Sequence, residues 1–186
     1  MTNHLSVSPL AFFTAFQDVT SELAQPLHQA WPRCKDLTNL MRSEIFPRVA
    51  DHLGLNCCAS DYYTLDGIFY VDIDNKHFAA NTAYAKFIAV ALEHENDAWT
   101  TAEEINKLQL FNTPLKVLIT YPESAAHARR LLGKYAEIIG DADVFQDITS
   151  LRRQLVIFGF WTGSPSWQAF AYAGGSFRAI DVEASV

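Results

Sequence analysis

The sequence predicts an α/β domain in which a central mixed β-sheet is flanked by helices. Two N-terminal segments repeat apolar residues at helical spacing. Several later runs are short and rich in aromatic and β-branched residues, as strands are. A helical pattern also separates two apolar runs, 86–95 and 115–121. Parallel neighbours need such a crossover, which is right-handed, so the sheet is mixed.

Ser8-Pro9 reads as an N-cap with proline in the first turn, opening a helix to about Ala24 with Leu10, Phe13, Phe16 and Leu23 near one stripe. A second helix begins at Asp36 or Thr38 and continues through Leu40, Met41, Ile45, Val49 and Leu53. Gly54 stops it, and Pro47 should kink it. Residues 61–66 and 67–72 follow as a tight hairpin or as one long bent strand. Asp74-Asn75-Lys76 supplies turn chemistry before the strand 86–95. Thr101-x-x-Glu104 fits a capping box, with Ile105 and Leu108 on the buried stripe, and Thr113-Pro114 ends that helix. Residues 115–121 read as a buried strand and 123–139 as a helix. Residues 154–161 and 167–172 read as two strands around Gly163-Ser164-Pro165. Gly174-Gly175 reads as a turn, and the polar last residues as a frayed end.

The chain has 186 residues, 49% of them hydrophobic and 13% aromatic, which suits one well-packed domain spanning 1–186. A formal charge of −7 argues against a broad basic surface but leaves room for a local basic cleft. Three cysteines, Cys34 and the adjacent Cys57-Cys58, have no zinc spacing, and an odd number suits a reducing compartment. The first residues lack the pattern of a signal peptide, and no run reaches the roughly 20 apolar residues of a membrane-spanning helix. A cytoplasmic protein with no membrane partner is expected.

The strongest chemical signal is Glu93-His94-Glu95 at the end of the strand 86–95. Side chains alternate, so Glu93 and Glu95 share one face, about 7 Å apart, while His94 points to the other. Like charges so placed repel unless a cation lies between them. If 67–72 pairs antiparallel with 86–95, Asp66 falls beside Glu93, whereas Asp72 and Asp74 fall near Lys86. Asp66, Glu93 and Glu95 then converge as hard oxygen ligands of the kind Mg²⁺ prefers.

A helix, a strand entered through Asp66, a strand ending in Glu93-x-Glu95, a crossover helix and a further strand together resemble the PD-(D/E)xK, or restriction-endonuclease-like, phosphodiesterase superfamily. The resemblance covers roughly residues 36–121, with the N-terminal helix and C-terminal strands as additions. It implies Mg²⁺ or Mn²⁺ held by Asp66 and Glu93, with Glu44 of the preceding helix completing the shell. Glu95 stands where the family usually has the lysine that positions or activates the attacking water, so the resemblance gives that role to Glu95, with Lys107 of the following helix as a substitute for the lysine. Leu65, not proline, precedes Asp66. The implied activity is hydrolysis of DNA phosphodiester bonds, with a homodimer as an option for cutting two strands. The alternative is a catalytically silent protein of the same fold that binds or regulates.

Each residue also has a plainer reading. Glu93 and Glu95 can be solvated charges, Asp66-Gly67 a hairpin turn, Glu44 an exposed helix residue and Lys107 a partner of Glu103 or Glu104. His94 reads as a packed histidine, and Cys57-Cys58 as buried thiols. Arg129, Arg130, Lys134, Arg152 and Arg153 can meet phosphates or solvent. Trp161 and Trp167 can stack on a base or serve as aromatic core or hairpin packing. A glycosidase reading of the carboxylates is weaker, because residues two apart on one strand do not face each other across a sugar.

Overall fold

The computed structural model describes residues 6–60, 62–71, 87–143 and 153–181. Helices α1 (Pro9–Glu22), α2 (Ala24–Ala30), α3 (Cys34–Leu40) and α4 (Phe46–His52) come first, with the π-helical turn Met41–Ile45 joining α3 to α4. Strands β1 (Asn56–Cys58), β2 (Gly67–Val71) and β3 (Phe87–Glu95) follow, then α5 (Thr101–Gln109), β4 (Leu115–Thr120) and α6 (Ala125–Ala142). The described chain closes with β5 (Arg153–Trp161), β6 (Pro165–Ala173) and β7 (Ser176–Ile180).

Among the described residues the strands form one seven-stranded sheet in sequence order. β1, β2 and β3 pair antiparallel, β3, β4 and β5 pair parallel, and β6 and β7 return antiparallel. The mixed α/β class is therefore observed. One face packs Phe12, Phe16, Met41 and Phe46 of the N-terminal helices onto Phe69, Leu92, Val117 and Ile157. The other packs Ile105 and Leu108 of α5 and Ala128, Tyr135 and Ile139 of α6 onto Ile68, Ala91, Leu118 and Val156. Each large apolar side chain so buried contributes about 1.5–3 kcal/mol.

Several local features differ from the sequence-based expectation. The first helix breaks at Leu23, and α2, which the periodicity did not reveal, follows. The second helix starts earlier, at Cys34. Its expected kink at Pro47 is a π turn just upstream, where the Phe46 N–H reaches the carbonyl of Met41. Proline lacks the N–H that the Ser43 carbonyl would otherwise receive, and widening the turn is one way to accommodate it. Gly54 ends α4 at φ +67°, with the Leu55 N–H returning to the Ala50 carbonyl at 2.8 Å.

The stretch before β2 is neither a long bent strand nor a hairpin centred on Asp66-Gly67. Tyr62 and Leu65 exchange backbone hydrogen bonds around Tyr63 and Thr64, whose φ angles are +48° and +74°. Two successive non-glycine residues at positive φ are unusual and strained. β2 instead finds its outer partner in the short β1, which carries too few residues to show a pattern. β7 was also unforeseen; Gly174 and Gly175, at φ +59° and +84°, form the expected turn and connect it to β6. Asp61, Asp72, Asp74, Lys86 and Arg152 lie outside the described residues.

Candidate active site at the end of the third strand

The site lies where β2 begins and β3 ends. Gly67 pairs with Leu92, so the preceding Asp66 stands beside Glu93. Asp66 is held from two sides. Its Oδ1 lies 2.5 Å from Nη2 of Arg42, and its Oδ2 accepts from the His94 backbone N–H at 2.9 Å. Arg42 comes from the π turn, so the widened turn upstream of Pro47 carries the guanidinium.

Glu93 is 1% exposed, and its Oε1 lies 2.9 Å from Nζ of Lys107. Lys107 also pairs with Glu104 one turn earlier on α5 and donates to the Thr64 carbonyl at 3.1 Å. One ammonium thus ties the crossover helix, the central strand and the strained turn together. Burial pushes the Glu93 carboxyl up to about 9, with the negative charges of Asp66 and Glu104 acting in the same sense and Lys107 opposing them. Partial burial works against the Lys107 ammonium, but its bonds to Glu104 and Glu93 more than offset this and raise its pKa. Lys107 thus favours the charged form of Glu93 while burial disfavours it, and the two carboxylates hold the proton on the lysine.

His94 points to the opposite face, as strand alternation requires. Its Nε2 lies 2.7 Å from the Tyr121 hydroxyl, and its ring meets Phe46 edge-on at 6.2 Å. Burial lowers its pKa to about 4, so the ring is neutral at pH 7. The Tyr121 phenol is pushed well above its ordinary value, again by burial.

The structure thus brings together Asp66, Glu93 and Lys107. It does not bring Glu44 to them: that side chain is exposed and pairs with Arg48 at 3.1 Å, near Glu22. Glu104 is the additional carboxylate beside Glu93. Glu95 shares the face of Glu93 but turns its Oε1 to the Asp97 N–H at 2.8 Å, closing the turn into α5. The expected capping box at Thr101 is absent. The cap position is Thr100, without a side-chain cap bond, and the Thr101 hydroxyl is buried against Ala98 and the Tyr135 hydroxyl of α6. Helix packing claims that hydroxyl, which frees Glu104 to meet Lys107. Glu104 and Arg42 were missed as site residues because each is an ordinary helical charge in sequence; only the spacing of Glu104 to Lys107, three residues, hinted at their contact.

Among the described residues, no three His, Cys, Asp or Glu side chains form a ready metal cage. Mg²⁺ needs no such cage, since one or two carboxylates, waters and a phosphate satisfy it. Asp66 and Glu93 supply that donor chemistry. No helix of the described residues is long and apolar enough to cross a membrane. No protein-family model matches the chain, and no curated protein matches it.

Proposed function

We propose that the chain is a Mg²⁺- or Mn²⁺-dependent phosphodiesterase with a restriction-endonuclease-like core, acting on DNA. The observation that carries this reading is the meeting of Asp66, Glu93 and Lys107 at one corner of the sheet. The order of elements supports it: antiparallel β1, β2 and β3, then α5 and a parallel β4. In this reading Asp66 and Glu93 would hold the ion, which when bound polarises a phosphodiester and lowers the pKa of a bound water. Arg42 and the His94 N–H fix the orientation of Asp66. Lys107 keeps Glu93 in place and offers a proton-bearing ammonium where negative charge develops on the phosphate. Glu95 orients the turn that carries α5, and with it Lys107.

A second reading is a catalytically silent protein of the same architecture that binds or regulates. It is favoured by the cations already seated on the carboxylates, Arg42 on Asp66 and Lys107 on Glu93. Titration calorimetry with Mn²⁺ separates the two. The phosphodiesterase reading predicts one ion bound below millimolar concentration, lost in Asp66→Asn. No heat of binding at millimolar Mn²⁺ supports the silent reading.

A further inference from the structure

A crevice of about 540 Å³ opens at the same end of the sheet, on the face of His94, at the carboxyl ends of β4 and β5 and the first residues of α6. Its volume falls in the range of sites for small organic groups, roughly 300–1,000 Å³. Crevices at the carboxyl ends of parallel strands are the usual ligand positions of α/β sheets. β4 pairs with β5 only as far as Thr120 and Phe158, so Gly159, Phe160 and Trp161 run on beyond it and form one wall.

The aromatic part of the lining is Trp31, Tyr121 and Trp161. Trp31 meets Tyr121 edge-on at 5.1 Å and Trp161 at 5.9 Å, and Trp161 leans on His28 at 4.9 Å. Trp161 remains 44% exposed, so much of its ring is open to an incoming group. The polar part is Gln168 and Glu123. One oxygen of Glu123 accepts from the Trp99 indole N–H at 3.3 Å, leaving the other able to accept from an amine. The Gln168 amide can both donate and accept. Arg129 stands one turn along α6 from the lining residue Ala125, exposed and with no ion-pair partner among the described residues.

Flat aromatic walls, an acceptor for an exocyclic amine, a two-way amide and a cation at the rim are the complement of a nucleobase with its phosphate. The crevice is also tied to the carboxylate corner. Tyr121 lines it and holds His94, whose backbone N–H holds Asp66. Glu93 is level with Val156 of β5, two strand spacings away, and the wall begins three residues further along, so the two lie roughly 14 Å apart or more, a span of several nucleotides. We propose that this crevice takes a single unstacked base with an exocyclic amine from the strand whose phosphodiester lies at Asp66 and Glu93. The proposal rests on the phosphodiesterase reading for its substrate and names single-stranded or locally opened DNA as that substrate.

The test is fluorescence anisotropy in EDTA with two labelled single-stranded 12-mers, one of deoxycytidine and one wholly abasic. Trp161→Ala, at a half-exposed position, should weaken binding of the deoxycytidine strand about tenfold, as loss of one base-stacking partner does. It should leave the abasic strand unaffected, and Trp161→Phe should restore most of the loss. Equal losses for both strands, no loss for either, or no binding of the deoxycytidine strand by the wild-type protein overturns the crevice assignment. Glu93→Gln keeps the two readings apart. If it cleaves like the wild type in Mg²⁺ while Trp161→Ala shows the base-dependent loss, the crevice stands and the carboxylate mechanism falls. If Glu93→Gln is inactive and Trp161→Ala binds both strands normally, the mechanism stands and the crevice falls.

Discussion

Glu93 is the residue at which fold and chemistry conflict most. A carboxylate with 1% exposure is costly to ionise, and Lys107 offsets only part of that cost. Its pKa of about 9 in the folded chain lies above the ordinary 4.5, so between those values the native state binds more protons than the unfolded chain. Stability from this group is complete at low pH and is lost as pH rises through 9. His94 acts in the opposite sense: lowered from 6.5 to about 4, its neutral form adds stability that disappears as pH falls through that window. The interval from pH 6.5 to 9 therefore isolates Glu93. In urea unfolding without metal, the wild type should lose stability across that interval while Glu93→Gln stays flat. By pH 8.5 the variant should be more stable by about 1–3 kcal/mol, less than the full shift implies because Lys107 and rim solvent screen the charge. Parallel curves for the two proteins would remove the strained carboxylate from the account.

At the scale of elements, the sheet edge depends on close ring packing across β5. A side chain at Gly159 would place its Cβ 2.7 Å from the rings of Trp167 and Tyr121. Tyr121 cannot swing aside without breaking its bond to His94. Gly159→Ala should therefore destabilise the fold by about 1–3 kcal/mol, the usual cost of overpacking. A change below about 0.5 kcal/mol in denaturant unfolding would mean the rings yield freely. Which elements could be read in advance follows from how much pattern each carries. Strand β3 carries nine residues whose alternation sent Glu93 and His94 to opposite faces, and antiparallel pairing placed Asp66 next to Glu93. Strand β1 has three residues and the Tyr63-Thr64 turn has no glycine, so neither announces itself. Thr101 matched a local capping rule but was claimed by Tyr135 from a helix distant in sequence. Glu44 lies in the π turn itself, exposed and paired with Arg48, which no sequence pattern announces.

For the molecule as a whole, both candidate regions lie along one sheet edge. The carboxylates end β3, the aromatic crevice ends β4 and β5, and the hydrogen bond from His94 to Tyr121 spans the two. The net charge of −7 makes any contact with DNA local, and the exposed face of α6 with Arg129, Arg130 and Lys134 is the cationic surface next to that edge. The antiparallel pairing of β2 with β3, the parallel crossover to β4 and the acidic pair were legible because they rest on periodicity and register. The seating of Lys107 between Glu93 and Glu104 was legible only as an option, since it depends on how α5 packs against the sheet. The central claim is that this corner cleaves phosphodiesters with a divalent ion. Nicking of supercoiled plasmid in 5 mM Mg²⁺ or Mn²⁺ (an ion concentration of about the saturating order for such sites) tests it most directly. The account predicts nicking by the wild type and a loss on the order of a hundredfold or more in Glu93→Ala, with its circular dichroism spectrum unchanged. A folded Glu93→Ala protein that nicks as fast as the wild type, or a wild type inactive with either ion, would contradict it.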